Sequence, residues 1–537
     1  MSKLRRILSW LALAVCFAVL CVFLWRNVTD LLDSDMASDM IYADLLRREG
    51  SLLSSNWYYS SEIRILSNHL FFTPLFYLTR DWHLVRFLGT ALSYVLLLLS
   101  LWTVTRQVGL RRWFPLIGAA LLLPLSIAYT HYSLVGTFNY MPHHILAFFL
   151  FALILSQSAP CTPRARALRL AVLSALSVAA GLCGYRFLYL FFLPMAMAAA
   201  YLRMRHGPVA RVARLLSGSL LSLGMALVGL VLNLFVLARL YSFDSYGSIA
   251  FIDFSFDRIA GFLSQLPTLL GYPTGQPILS AYLAPAALSL ALLALLGWSV
   301  AAAVRAPRGA LAQDAPAAPG APPSFGEQTM ALFAGSGLLL YLALLALTDL
   351  ELAASPYHFL PVLVLCVPLA AWRFERLPMR PRLPVRAAAA GVLACLMAVS
   401  SAINYRYFSR RDITYEQRML LSALSGEGYT TGYSTFWLGN ILTELSDGQV
   451  EMYVFKAPLD TADDLINRMD PWLQRKSHMQ ERPEGRVFIL FSKYYEETDF
   501  PLFAQMDPSH VIYESPYLLA YGYESFDDLY ADAGAPS

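Results

Sequence analysis

Charge is scarce in this chain. Only 14% of its 537 residues are Asp, Glu, Lys or Arg, where a soluble globular chain carries roughly 25%. With 57% hydrophobic residues and a mean hydropathy of +0.51, the composition is that of a polytopic membrane protein. The net charge of +3 gives no case for a nucleic-acid partner. Cysteine is also sparse: Cys16, Cys21, Cys161, Cys183, Cys366 and Cys395. All but Cys161 lie in apolar runs, so they read as small hydrophobes rather than a disulfide framework or a metal-ligand set. A Gly-rich phosphate loop, a Ser/His/Asp nucleophile pattern and a CxxC motif are missing too, which argues against a soluble nucleotide-driven enzyme.

Long apolar runs are what the chain does have. They place spans near 7–25, 84–105, 113–130, 143–157, 169–184, 187–202, 215–240, 281–304, 329–347, 358–372 and 387–404, about eleven transmembrane helices. Met1–Arg6 is basic and precedes the first run without a convincing small-residue cleavage site, so this run reads as a retained helix. Alternate loops carry the arginines. These are Arg5 and Arg6, Arg106 to Arg112, Arg164 to Arg169, Arg203 to Arg214, Arg305 and Arg308, and Arg373 to Arg386. The opposite loops are mostly acidic or neutral, with Asp244, Asp253, Asp349 and Glu351. The positive-inside rule then puts the N-terminus in the cytoplasm and the C-terminus outside. The first outer loop, 26–82, is the exception, since it also holds Arg26, Arg47, Arg48, Arg64 and Arg80.

That loop opens with three carboxylates, Asp33, Asp35 and Asp39. Crowded carboxylates raise each other's pKa and call for a cation, a basic ligand or open water. Asp39–Glu49 reads as a short amphipathic helix on the bilayer surface. Leu70–Leu78 is interrupted by Pro74 and reads as interfacial, with Trp57, Tyr58, Tyr59 and Trp82 suited to the aromatic belt. A second outer loop, 242–280, suggests an interfacial helix over 251–270, or a lid. Residues 306–326, rich in Ala, Pro and Gly, read as a cytoplasmic linker. The domain division is 1–404 in the membrane and 405–537 as a small extracytoplasmic α/β domain. Its strands are expected at 450–455, 486–491 and 511–520, and its helices at 436–445 and 461–473.

Charged groups beside spans are costly and point to function. Arg186 stands in the turn Gly184-Tyr185-Arg186, against the charge bias. It reads as an anchor for a lipid-linked phosphate, since guanidinium matches phosphate bidentately. Arg86 opens the second span, where a helix-end pair with Asp81 competes with phosphate contact. Tyr140, His143 and His144 open the fourth span, and Tyr357 and His358 the tenth. These five are candidate substrate contacts, with packing as the alternative. Adjacent histidines on a helix point in different directions, and no metal-ligand spacing is present. Tyr433, Trp437 and Asn440 are weaker candidates for the acceptor.

The order of these features resembles the GT-C superfamily of membrane glycosyltransferases, which includes the protein O-mannosyltransferases and the aminoarabinose lipid A transferases. Asp35 follows the first span, and Tyr42-Ala43, Glu49-Gly50, Asn56-Trp57 and Thr73-Pro74-Leu75 follow it in turn. Arg86 and Arg186 occupy the family's basic positions. Asp35-Met36 stands where the family often has Asp-Glu, and Tyr357-His358 where it often has Arg-Tyr. The resemblance implies sugar transfer from a polyprenyl-phosphate carrier to an outer-face glycan, lipid or protein. Asp35 would be the general base, with Asp33 and Asp39 orienting it or recruiting a divalent metal. Arg186 and Arg86 would receive the departing phosphate. A lipid-linked sugar flippase is the alternative, but the charges gather at one face and no internal repeat is evident.

Overall fold

The computed structural model describes residues 3–60, 63, 65–135, 140–244, 250–273, 275–307, 323–349, 356–376, 383–507 and 510–534. Most of the expected linker, 308–322, lies outside them, as do Arg64, Arg308, Glu351, Arg380 and Arg382. The chain divides into two compact units. One comprises Met1–Phe23, Ser93–Leu234 and Gly247–Tyr407; the other comprises Leu24–Leu92, Phe235–Tyr246 and Phe408–Ser537.

Among the described residues nine helices are long and apolar enough to cross a membrane, from Lys3–Asn27 to Ala387–Phe408. They match nine of the eleven expected spans. The other two differ: the first is broken, and the second is continuous but opens with a π segment. In 113–130, a helix covers only Phe114–Leu121 and stops ahead of Pro124, which has no N–H to donate. The chain resumes as a turn capped by Ser126, which widens into a π-turn over Thr130–Leu134. In 187–202, a π-turn over Leu188–Phe192 leads into the shorter helix Leu193–His206. The expected helix of the second loop forms over Phe256–Leu269, capped by Ser255.

Small residues set the closest helix approach in the first unit. A Cβ on Gly181 would stand 1.9 Å from the Ala226 carbonyl oxygen, and one on Gly229 would stand 2.1 Å from that of Val178. The two backbones touch through these glycines, as small-residue helix pairs do in membranes. Ser177 and Ser222 share a 2.7 Å hydrogen bond in the same seam.

The second unit is built on a five-stranded sheet. With β1 (Tyr58–Tyr59) and β2 (Ser242–Phe243) forming a separate parallel pair, its strands are β3 (Thr431–Thr435), β4 (Glu451–Phe455), β5 (Val487–Ser492), β6 (Val511–Glu514) and β7 (Leu518–Tyr523). The order is β4-β3-β5-β7-β6, with β3 parallel to β4 and β5, and β7 antiparallel to β5 and β6. Every residue of β5 is buried, as a central strand covered on both faces requires. Val487, Ile489 and Phe491 pack with Tyr433, Leu519 and Phe526, whereas Phe488 and Leu490 pack with Leu424, Leu442 and Met452.

Two expected elements differ. The strand 511–520 is a hairpin, because Ser515-Pro516 turns the chain between β6 and β7. The helix 461–473 shrinks to Asp464–Asn467. There the Asp464 side chain accepts from the backbone N–H groups of Asp460 and Thr461, at 2.7 and 2.9 Å, and Pro471 breaks the rest.

The acidic stretch is itself helical, from Ser34 to Glu49. Asp33 is the N-cap and accepts from the Met36 N–H at 2.9 Å, while Gly50 closes the helix in the left-handed region at φ 62°. Asp35 in the first turn and Arg47 and Arg48 in the last complement the helix dipole. Twelve of its sixteen residues are buried. Met40, Tyr42 and Leu46 pack with Trp57, Tyr59, Phe72, Trp82 and Phe436 in one apolar cluster. The helix is therefore a core element rather than one laid on a surface, and Trp57, Tyr59 and Trp82 are interior.

Candidate active site

Two groups of residues carry chemistry, one in each unit. In the second unit the buried helix Ser34–Glu49 exposes almost none of its polar side. Asp35 is 6% and Asp39 3% exposed. Asp39 accepts from Asn68 Nδ2 at 2.9 Å. Asp44 holds Arg47 at 2.8 Å and Arg48 at 2.6 Å. Burial, and then the neighbouring charge of Asp35, push the Asp33 carboxyl up to about 7, with the Met36 N–H and Arg86 acting the other way. Asp33 and Asp39 thus have evident structural duties, and Asp35 stands between them in the first turn.

Arg86 is 1% exposed. Its Nε and Nη2 grip both oxygens of Glu444, the second at 2.6 Å, and Nη2 also donates to the Met36 carbonyl at 2.8 Å. The carboxylate that pairs with Arg86 is Glu444 and not Asp81. Burial raises the proton affinity of Glu444, and the Arg86 charge opposes it. Glu444 is the one charged residue in the helix Phe436–Leu445, and that isolation was the available signal for it.

Asn440, one turn before Glu444, belongs to a buried polar chain. It donates to Ser38 Oγ at 2.7 Å and accepts from Gln474 Nε2 at 2.8 Å. Gln474 meets His478 at 2.9 Å, and His478 meets Glu451 at 2.9 Å. The hydrogen bond from His478, and then the charge of Arg475, hold the Glu451 carboxyl down at about 2. Tyr433 is buried in the sheet core, whereas Trp437 is exposed.

In the first unit, four expected residues gather around Tyr140. Its hydroxyl is hydrogen-bonded to His358 Nδ1. The Arg186 guanidinium lies 5.8 Å from its ring centroid. The rings of His143 and Tyr357 are each 6.0 Å away. Tyr357 stacks on Tyr132 at 3.9 Å, and His143 on Phe187 at 4.8 Å. Local structure accounts for the gathering. Tyr140 and His143 open one helix, Tyr357 and His358 form the 3-10 turn that begins another, and Arg186 follows Gly184, whose φ of 90° turns the chain. His144 points away and meets Ser133 Oγ at 2.9 Å, as adjacent helical residues must diverge. Among the described residues no three His, Cys, Asp or Glu side chains form a metal-ligand group.

No protein-family model and no curated protein matches the sequence. Solved structures do. ArnT from Cupriavidus metallidurans bound to undecaprenyl phosphate aligns over 98% of this chain and 99% of its own, with a TM-score of 0.54 and 11% identity. Its apo state aligns over the same shares, with a TM-score of 0.54 and 13% identity. The chain shares the fold of these two structures. At such identity the likeness establishes the architecture of a multi-pass membrane protein, and the roles of individual side chains rest on their own chemistry.

Proposed function

We propose that this protein is a membrane glycosyltransferase that moves a sugar from a polyprenyl-phosphate carrier to an acceptor hydroxyl outside the cytoplasm. The observation that carries this reading is the set Tyr140, His143, Arg186, Tyr357 and His358, gathered in a chain whose fold is shared with a protein solved on undecaprenyl phosphate. A guanidinium held over an aromatic ring suits a phosphate oxygen, and imidazole and phenol groups suit a sugar or its phosphate.

In the reaction the acceptor oxygen bonds to the anomeric carbon as the bond from that carbon to the phosphate oxygen breaks. Asp35 takes the acceptor proton, and the lipid phosphate leaves with the electron pair. Arg186 stabilises the charge that grows on that phosphate. Arg86 acts at one remove, by holding the Met36 carbonyl and so the first turn on which Asp35 sits. One base and one leaving group give a single displacement with inversion. The acceptor is a glycan, lipid or protein of the cell envelope.

The test is a panel of polyprenyl-phosphate sugars offered to the purified full chain with envelope acceptors. Release of polyprenyl phosphate from at least one donor, with inverted anomeric configuration by product NMR, is expected. Retention would overturn the single displacement, and no turnover of any donor would overturn the enzyme reading.

A further inference from the structure

The first unit holds a second charged feature. A cavity of about 930 Å³ is lined by Arg6, Arg106, Arg111, Arg112, Arg211 and Arg376. Only two lining residues are carboxylates, and both are engaged. Glu327 pairs with Arg376 at 3.2 Å, and Glu375 pairs with Arg112 and accepts from the Trp113 indole at 2.6 Å. Arg6, Arg106 and Arg111 have no carboxylate partner among the described residues. The volume is in the range of small-molecule sites.

The guanidinium groups are also braced. Arg111 lies 5.1 Å from the Trp102 ring, Arg211 4.4 Å from Phe325, and Arg376 4.5 Å from Trp372. Trp372 is 2% exposed, lines the cavity, and has an indole N–H without a hydrogen-bond partner. A guanidinium stacked on a ring keeps its N–H edge for an oxyanion. Arginines that only satisfy the membrane charge bias need neither a cavity nor aromatic support. The cavity is also remote from the Tyr140 cluster. Its lining residue Ala159 lies just beyond the C-terminus of the helix Tyr140–Gln157 that Tyr140 opens. At 1.5 Å per residue the two ends are about 25 Å apart.

We infer that this cavity is a site for a phosphate-bearing anion, either free phosphate or the headgroup of an anionic phospholipid. Net positive charge and guanidinium groups braced on rings around one cavity match phosphate oxygens. The site stands apart from the sugar-transfer reading and does not depend on it.

The test titrates delipidated full-length protein with phosphatidylglycerol, counted by native mass spectrometry, and separately with inorganic phosphate, followed by phosphorus NMR. Wild type should bind one of the two. The Arg106→Gln/Arg111→Gln double variant should bind it about tenfold or more weakly, a change of roughly 1.4 kcal/mol or more. Arg166→Gln, outside the cavity lining, should bind as wild type. Both Arg106 and Arg111 are exposed, so the double variant should keep its fold, and Arg6→Gln supplies an independent variant. Phosphatidylglycerol alone would name the headgroup as source, and phosphate alone the free anion. Binding of neither probe, an unaffected double variant, or an equal loss in Arg166→Gln would overturn the site.

Discussion

Arg86 and Arg186 carry the same group into opposite surroundings. Arg86 is sealed in the second unit, with both oxygens of Glu444 and the Met36 carbonyl on its donors. Arg186 is half-buried in the first, over the Tyr140 ring and among histidines and tyrosines. An arginine gripped by a buried carboxylate fixes a structure. One resting on an aromatic face in a polar cluster suits the phosphate-binding role proposed for it. The same contrast runs through the two regions: paired polar groups hold the helix Ser34–Glu49, and ring contacts run through the Tyr140 cluster.

The largest effect should come from breaking the lock. Arg86→Ala leaves Glu444 as a buried charge without its partner, and unfolding experiments should register a loss of about 3–5 kcal/mol. Arg86→Met with Glu444→Leu removes both charges and should recover most of it. If the single variant is as stable as wild type, the clamp is not what holds this helix. On the other side of the comparison, Arg186→Gln should slow turnover about 10²- to 10³-fold while the unfolding midpoint stays put. A stability loss matching that of Arg86→Ala would erase the distinction between the two arginines. Tyr140→Phe should be milder. It strips the hydrogen bond from His358, and stability should fall by about 1–3 kcal/mol, read by thermal unfolding.

A pH-dependent effect concerns Asp33. Its carboxyl is raised from 3.8 to about 7, so the folded chain binds this proton more tightly than the unfolded chain. The stabilisation is complete below the ordinary Asp range and is lost as the pH rises through about 7. Asn caps helices as well as Asp and has no proton to lose. Unfolding midpoints should show Asp33→Asn gaining on wild type between about pH 4 and pH 7. A difference that is flat with pH would contradict the burial of this charge.

Much of the architecture is legible in the sequence because apolar runs report membrane spans directly. The Tyr140 cluster is legible for a related reason. Its members open helices or stand in a turn, and a shared side of the bundle follows from the order of spans. Glu444 was not legible as the partner of Arg86. The pair is 358 positions apart in sequence, and the isolation of Glu444 in its helix marks the residue but not its partner. β3, Thr431–Thr435, escaped notice because Gly432, Ser434 and two threonines hide a buried strand. The acidic helix starts at Ser34, ahead of the expected Asp39, because Asp33 caps it where three aspartates suggest a loop.

The measurement that bears most directly on the account is single-turnover transfer by wild type and Asp35→Asn, with the best donor of the panel and with unfolding curves for both. Asp35→Asn should transfer about 10²- to 10⁴-fold more slowly with an unchanged unfolding curve. Equal rates in two folded proteins would remove Asp35 as the base, and with it the mechanism proposed for this site.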